Sequence, residues 1–288
     1  MNSVDIQSVG ILGAGTMGHG IAQVAAMAGC DVVLADVALE RAEHGCAQLG
    51  RTLETGVSKG KISAEAAASA RGRVRAAEGL AALSGCDLVI EAVPEDMALK
   101  QRIFRELSAL VRPGAVLASN TSSLSVTEIA SAASGPGRVV GLHFFNPVHL
   151  MKLLEVVRAY QTDEETLAAV RAFGKRLGKE LVEVRDSPGF ASSRLGIALG
   201  MEAIRMVEEG VATPADIDRA MELGYGHPMG PLKLTDLVGL DVRLAIAEHL
   251  HRELGNPAFR PPQLLKQMVR AGRLGKKAGR GFYTYTGD

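Results

Sequence analysis

The sequence predicts an α/β protein: a doubly wound, mostly parallel sheet followed by a smaller all-α domain. Three observations predict it. Short apolar runs alternate with helix-period segments through the first two-thirds of the chain. Those runs are nearly continuous in Val, Ile, Leu and Ala, as in strands covered on both faces, instead of alternating as a one-sided sheet does. Beyond the turn Asp186-Ser187-Pro188-Gly189 the strand pattern stops and helix-period sequence takes over.

Taken in order, strands are expected at residues 8–12, 32–35, 88–92, 116–119, 139–144 and 181–184. Amphipathic helices are expected at 97–111 and 164–177, the second announced by a capping box of Thr162 with Glu165. A similar box, Ser125 with Glu128, opens a short helix. After the turn, residues 191–209 place Glu202, Arg205 and Glu209 on one stripe among small and apolar residues, which predicts a largely buried helix. Thr213-Pro214 offers a capping hydroxyl before a proline at the first helical position. Helices at 216–223, 232–250 and 262–271 follow, and the domain boundary is placed near Arg185, giving domains 1–185 and 186–288.

Composition excludes several classes of function. The chain has 288 residues, of which 47% are hydrophobic, enough for a sizeable core in each of two domains. Its 32 basic and 32 acidic residues cancel, which argues against nucleic acid or an anionic membrane as the main partner. Cys30, Cys46 and Cys86 have neither disulfide nor metal-ligand spacing and read as thiols in a reducing compartment. Neither a leader nor a membrane-length apolar run is evident, so a cytoplasmic location is expected. His249 and His251, two apart on a helix, face apart, and no metal site is expected. A Gly-x-Ser-x-Gly nucleophile elbow is absent from the sequence.

Gly13-Ala14-Gly15-Thr16-Met17-Gly18 lies between the strand at 8–12 and a helix running to about Ala28. This is the context a Rossmann-type dinucleotide site requires. Gly13 permits the tight turn, Gly15 clears space for a pyrophosphate, and Gly18 lets helix and strand pack closely. Thr16 and Met17 begin the helix whose free N–H groups face the phosphates. Asp36 ends the next strand, where a carboxylate accepts ribose hydroxyls and repels a 2′-phosphate, so NAD is expected rather than NADP.

His143 sits at the carboxyl end of the strand at 139–144, the side where ligands of doubly wound sheets bind. Glu155 follows inside the apolar stretch Leu153-Leu154-Glu155-Val156-Val157, and a buried carboxylate needs a partner. Paired with His143, it would fix the imidazole tautomer and leave the other nitrogen to remove a hydroxyl proton. A purely structural His–Glu contact, or two groups that never meet, fits the residues equally well.

Several blocks together give the sequence a resemblance to the L-3-hydroxyacyl-CoA dehydrogenase family, near its bacterial 3-hydroxybutyryl-CoA branch. They are the Gly13 to Gly18 loop, Glu91-Ala92-Val93-Pro94-Glu95, Ser119-Asn120-Thr121-Ser122-Ser123 and His143-Phe144-Phe145-Asn146-Pro147 with Glu155. The segments 186–190, 230–236 and 275–283 also carry it. The resemblance implies reversible oxidation of a (3S)-3-hydroxyacyl-CoA, with hydride passing between C3 and NAD. His143 would be the base, Glu155 would orient it, and Ser122 would hydrogen-bond the substrate oxygen. Asn146 would lie near the nicotinamide and the substrate, Asn120 would belong to the cofactor site, and Glu91 and Lys100 would line the cofactor cleft. After Pro188-Gly189-Phe190 the family carries an asparagine that contacts substrate; here Ser193 stands at that position, either keeping a hydroxyl contact or merely starting the helix. Lys59 and Lys61 match the region that contacts CoA, or are simply solvated. The family also implies a homodimer, with the helical domain forming the interface and closing over the acyl chain. Two rival readings stand beside this one: a relative acting on a hydroxy acid or polyol without CoA, of the gulonate or carnitine type, and a non-catalytic NAD-binding protein.

Overall fold

The computed structural model describes residues 5–285 and sets β1 (Ser8–Leu12) inside an eight-stranded sheet. The other strands are β2 (Asp31–Asp36), β3 (Val74–Glu78), β4 (Leu88–Glu91), β5 (Val116–Ser119), β6 (Val139–Phe144), β7 (Leu153–Arg158) and β8 (Glu180–Arg185). Their spatial order is β3-β2-β1-β4-β5-β6-β7-β8. Every neighbouring pair is parallel except β6 with β7. The connection through 145–152 is too short for a parallel crossover, so β7 must run back along β6. The chain leaves β1 toward β2 on one side and returns to β4 on the other. That reversal opens a crevice at the carboxyl ends of β1 and β4.

Helices α1 (Thr16–Met27), α2 (Leu39–Ser58), α3 (Ala64–Gly72), α4 (Met97–Leu110), α5 (Val126–Ser131) and α6 (Glu164–Arg176) link these strands. Val9, Ile11, Leu34, Leu88, Ile90, Val140 and Leu142 from the sheet pack in one core with Ile21, Ala22 and Ala25 of α1. The sequence misses β3, because Arg75 and Glu78 break its apolar pattern, as a strand at the sheet edge allows. The capping box expected at Thr162 is corrected by one residue: Asp163 caps α6 by accepting the Thr166 N–H at 2.7 Å. Thr162 instead donates its hydroxyl to the Val139 carbonyl at 2.6 Å, inside the sheet. Ser125 does cap α5, accepting the Glu128 N–H at 3.2 Å.

The chain divides into two compact units after Asp186. The second holds α7 (Ser192–Glu208), α8 (Pro214–Tyr225), α9 (Pro231–Val238), α10 (Leu240–Leu254) and α11 (Gln263–Arg270) around a core of Ile197, Met201, Ile204, Leu232, Leu250 and Leu265. The single helix expected at 232–250 is two, because Gly239 adopts φ +107° and ends α9. Helix α7 buries one face, Ile197, Gly200, Met201, Ala203 and Ile204, rather than most of its surface. Asp236, fully buried, accepts the N–H groups of Phe282 and Tyr283 at 2.9 Å each and so ties the C-terminal segment to α9.

Candidate active site

The glycine turn leaves β1 with φ +99° at Gly13, where a side chain would lie 2.7 Å from the Ala92 carbonyl oxygen. A Cβ on Gly18 would lie 1.7 Å from the Gly13 carbonyl oxygen, so only glycine allows this approach of α1 to the turn. Gly15 differs: a Cβ there meets no protein atom within 4 Å. It is the N-cap of α1, no side chain caps the helix, and no acid stands in its first turn. The first N–H groups of α1 and the positive end of its dipole are thus presented to an anion beside Gly15 and Thr16, both exposed. Met17 is half-buried against the core. Asp36, half-buried at the end of β2, accepts the Ala14 N–H at 2.8 Å and the Val37 N–H at 2.8 Å. Each carboxylate oxygen retains acceptor capacity for a ribose hydroxyl. An uncapped helix start, an open glycine and a carboxylate at the second strand end fit NAD.

His143 and Glu155 face each other directly in the antiparallel register of β6 and β7. Their side chains lie on one face of the ladder, with Nδ1 of His143 2.8 Å from Oε2 of Glu155. Both are buried, at 6% and 1% exposure. An ionised carboxylate only accepts hydrogen bonds, so Nδ1 carries the proton in this pair. The Phe145 ring tilts against the imidazole with centroids 4.4 Å apart. Lys179 donates to the carbonyls of Val148 and Met151, the latter at 2.7 Å, and holds the loop that joins the two strands. In that loop Asn146 is exposed.

The loop after β5 comes up beside β6. Asn120 accepts the Phe144 N–H on Oδ1 at 2.9 Å, which fixes the strand one residue past His143. Glu91 and Lys100 are buried at 0% and 1% exposure and pair at 2.6 Å. Buried and paired, their side chains brace the loops at the ends of β4 and β5, where the resemblance places the cofactor cleft. Glu91 also accepts the Ser119 hydroxyl at 2.7 Å and the Val93 N–H at 2.8 Å. Lys100 reaches a second acid, Glu95, at 3.3 Å.

Glu95 is a residue that sequence reasoning did not single out. It accepts the Thr121 hydroxyl at 2.6 Å and the Ser122 N–H at 2.9 Å, with the Ser122 hydroxyl at 3.4 Å. Burial pushes its carboxyl up, but Lys100, the Thr121 hydroxyl and the Ser122 N–H together outweigh burial and hold it below the ordinary carboxylate range. The available signal was an acid beside a proline, one strand away from a run of hydroxyl residues. Ser122, half-buried, is thereby set by Glu95 at the end of the strand next to the one carrying His143.

Lys59 and Lys61, both exposed, line a cavity of about 690 Å³ in the first unit together with Thr55, Gln23, His149 and Arg176. The Oε1 atom of Gln23 is buried there without a hydrogen-bond partner. Ser193, half-buried, lies in the first turn of α7 in the second unit. Among the described residues no group of three or more His, Cys, Asp or Glu could hold a metal ion.

Comparison with known proteins gives consistent matches along both units. A family model described as 3-hydroxyacyl-CoA dehydrogenase, NAD binding domain, matches residues 8–187. The model of the C-terminal domain of the same family matches residues 189–285. The chain is 48% identical over 282 residues to a probable 3-hydroxybutyryl-CoA dehydrogenase of Bacillus subtilis, covering 98% of each. It is 46% identical to a 3-hydroxybutyryl-CoA dehydrogenase of Bradyrhizobium diazoefficiens, covering 98% of this chain and 96% of that one. The crystal structure of (S)-3-hydroxybutyryl-CoA dehydrogenase PaaH1 from Ralstonia eutropha superposes with a TM-score of 0.95 at 42% identity, covering 98% of this chain and all of that one.

Proposed function

The chain belongs to the 3-hydroxyacyl-CoA dehydrogenase family, and on that footing we propose that it oxidises (3S)-3-hydroxyacyl-CoA reversibly to 3-oxoacyl-CoA with NAD. The observation that carries the chemistry is the buried 2.8 Å contact of His143 with Glu155 at the carboxyl end of the sheet.

NAD, when bound, supplies the hydride acceptor. Gly13, Gly15, Thr16, Met17 and Gly18 would hold its pyrophosphate and Asp36 its ribose, with Asn120 and Asn146 beside the reacting end. Glu155 holds the Nδ1 proton of His143, so Nε2 is the nitrogen that exchanges protons with substrate. In oxidation Nε2 takes the proton of the 3-hydroxyl; in reduction it returns one. The charge of Glu155 balances the imidazolium that forms. Ser122, its backbone held by Glu95, turns its hydroxyl to the substrate oxygen and steadies the charge that develops there. Glu91 and Lys100 position these loops, and Ser193 would offer a shorter hydroxyl where the family carries an amide, or merely start α7.

Lys59 and Lys61 would meet CoA phosphates, and the unpartnered Gln23 oxygen in the same cavity suits an amide donor of the pantetheine arm. The helical unit would close over the acyl chain. Its exposed Leu195, Leu223 and Tyr225, at 71%, 77% and 79%, favour a homodimer through that unit. No helix among the described residues is long and apolar enough to cross a membrane. The three free thiols suit the cytoplasm.

The test is NADH consumption with acetoacetyl-CoA, free acetoacetate and, in parallel, NADPH. The proposal predicts oxidation of NADH by the thioester at a far higher kcat/KM than by the free acid. Equal use of the free acid would favour the gulonate or carnitine reading. No turnover of any 3-oxoacyl-CoA would favour a non-catalytic NAD-binding protein.

A further inference from the structure

Gly15, His19 and Gln23 stand at i, i+4 and i+8 and so share one face of α1. That face begins beside the uncapped N-terminus of the helix and ends in the cavity that Gln23 lines with Lys59 and Lys61. His19, half-buried, places Nδ1 2.8 Å from the Gly15 carbonyl oxygen. A carbonyl only accepts, so Nδ1 donates there and Nε2 is the nitrogen that can take up a proton. One residue on, a Cβ added at Gly20 would lie 2.9 Å from Cγ2 of Val148, so α1 packs directly on the loop between β6 and β7. His149 follows Val148 in that loop and lines the same cavity. Arg176 lines it too, and among the described residues no carboxylate does. The Oε1 of Gln23, on a residue 6% exposed, has no hydrogen-bond partner, which marks the cavity as a place for a ligand.

The two histidines differ from the lysines in that their charge is conditional. Burial, the Lys179 ammonium and His19 all hold the His149 imidazole below its ordinary value. Burial holds His19 down as well; the Gly15 carbonyl raises it, and His44 on α2 lowers it again. The groups that face the pair are basic: His44 from α2, Lys179 after α6, and Lys59, Lys61 and Arg176 around the cavity. Arg176 has an acid of its own, Asp5, at 3.8 Å. An imidazole so surrounded gains its proton more readily once an anion offsets its neighbours.

We propose that His149, with His19 behind it, binds the diphosphate of the CoA arm by taking up a proton as that arm enters the cavity, so that recognition of the nucleotide weakens as pH rises. This rests on the reading above that the cavity takes CoA. The two phosphates bring negative charge to a wall of basic groups, where a protonated imidazole donates a charge-assisted hydrogen bond to a phosphate oxygen. The anion raises both imidazoles above their values in the empty protein. The affinity gained is complete below those values and is lost as pH rises through the values in the complex. A thioester without the diphosphate leaves the imidazoles as they are and should bind without that slope.

The experiment is titration calorimetry of the full chain, without NADH, in buffers of different ionisation enthalpy, which counts the protons taken up on binding. The probes are acetoacetyl-dephospho-CoA, whose diphosphate keeps its charge across the range, and acetoacetyl-pantetheine, which has no phosphate. Their acyl groups are identical, so any proton exchanged by His143 cancels between them. Relative to the pantetheine thioester, the dephospho-CoA thioester should bind wild type about three- to tenfold more tightly at about pH 6 than at about pH 8, with net proton uptake. His149→Gln should lose most of that uptake and slope. His149→Lys, a permanent cation, should keep the tight binding at the higher pH with the slope gone. Uptake and slope that persist unchanged in His149→Gln overturn the inference. So does a wild type that binds the nucleotide thioester more tightly but with no dependence on pH. Equal affinity for the two thioesters at every pH would overturn the CoA reading of the cavity as well.

Discussion

In the proposed mechanism Glu155 acts on substrate only through His143, and one substitution isolates that role. Glu155→Gln keeps an acceptor near Nδ1 but removes the charge and loosens the tautomer. It should lower kcat about a hundredfold with KM for acetoacetyl-CoA nearly unchanged. A rise in KM at constant kcat would make Glu155 a binding or folding residue instead. Lys100 is positioned to be structural. Lys100→Met leaves Glu91 charged and buried without its cation, and stability in urea should fall by about 3 kcal/mol at neutral pH. The sign with pH follows from Glu95, whose folded carboxyl titrates below its unfolded counterpart in part because of Lys100. That stabilisation is complete above the unfolded range and fades as pH falls through the folded value. The deficit of the variant should therefore shrink on acidification, and a deficit independent of pH would remove Lys100 from the electrostatic account. His143 and Glu155 were legible in sequence because an acid inside an apolar run demands a partner. Glu95 was not, because Pro94-Glu95-Asp96 reads as a solvated turn; only the pairing of β4 with β5 brings it to Thr121 and Ser122.

The β1–α1–β2 unit separates two demands made on glycine. Gly15→Ala places its methyl group where no protein atom lies within 4 Å, so the fold should be unchanged in thermal unfolding while NADH affinity falls at least tenfold. Gly18→Ala drives a methyl group into the Gly13 carbonyl and should lower both stability and affinity. Equal NADH binding by Gly15→Ala and wild type would rule out a pyrophosphate beside that residue. This unit was readable because each of its steps has a local cause. The break at Gly239 was not, since a lone glycine within helix-period sequence looks like a tolerated weak point until its φ of +107° is seen. The α6 cap slipped by one residue because Thr162 and Asp163 are both good caps; the Val139 carbonyl across the sheet claims the threonine. The strand β3 was hidden by polarity that only an edge position permits.

Over the whole molecule, the sequence conveyed fold class and reaction type through separate blocks falling in the right order, each tied to a turn, a strand end or a helix start. It said less about the acyl group, because the surroundings of any side chain that would contact it come from segments distant in sequence. The account as a whole depends on proton exchange by the imidazole at the end of β6. The most direct measurement is single-turnover reduction of acetoacetyl-CoA by NADH in wild type and His143→Gln, with NADH affinity followed by fluorescence on the same samples. The account predicts a rate lowered by about 10²- to 10⁴-fold with NADH affinity retained. A variant that binds NADH and reduces the thioester near the wild-type rate would contradict it.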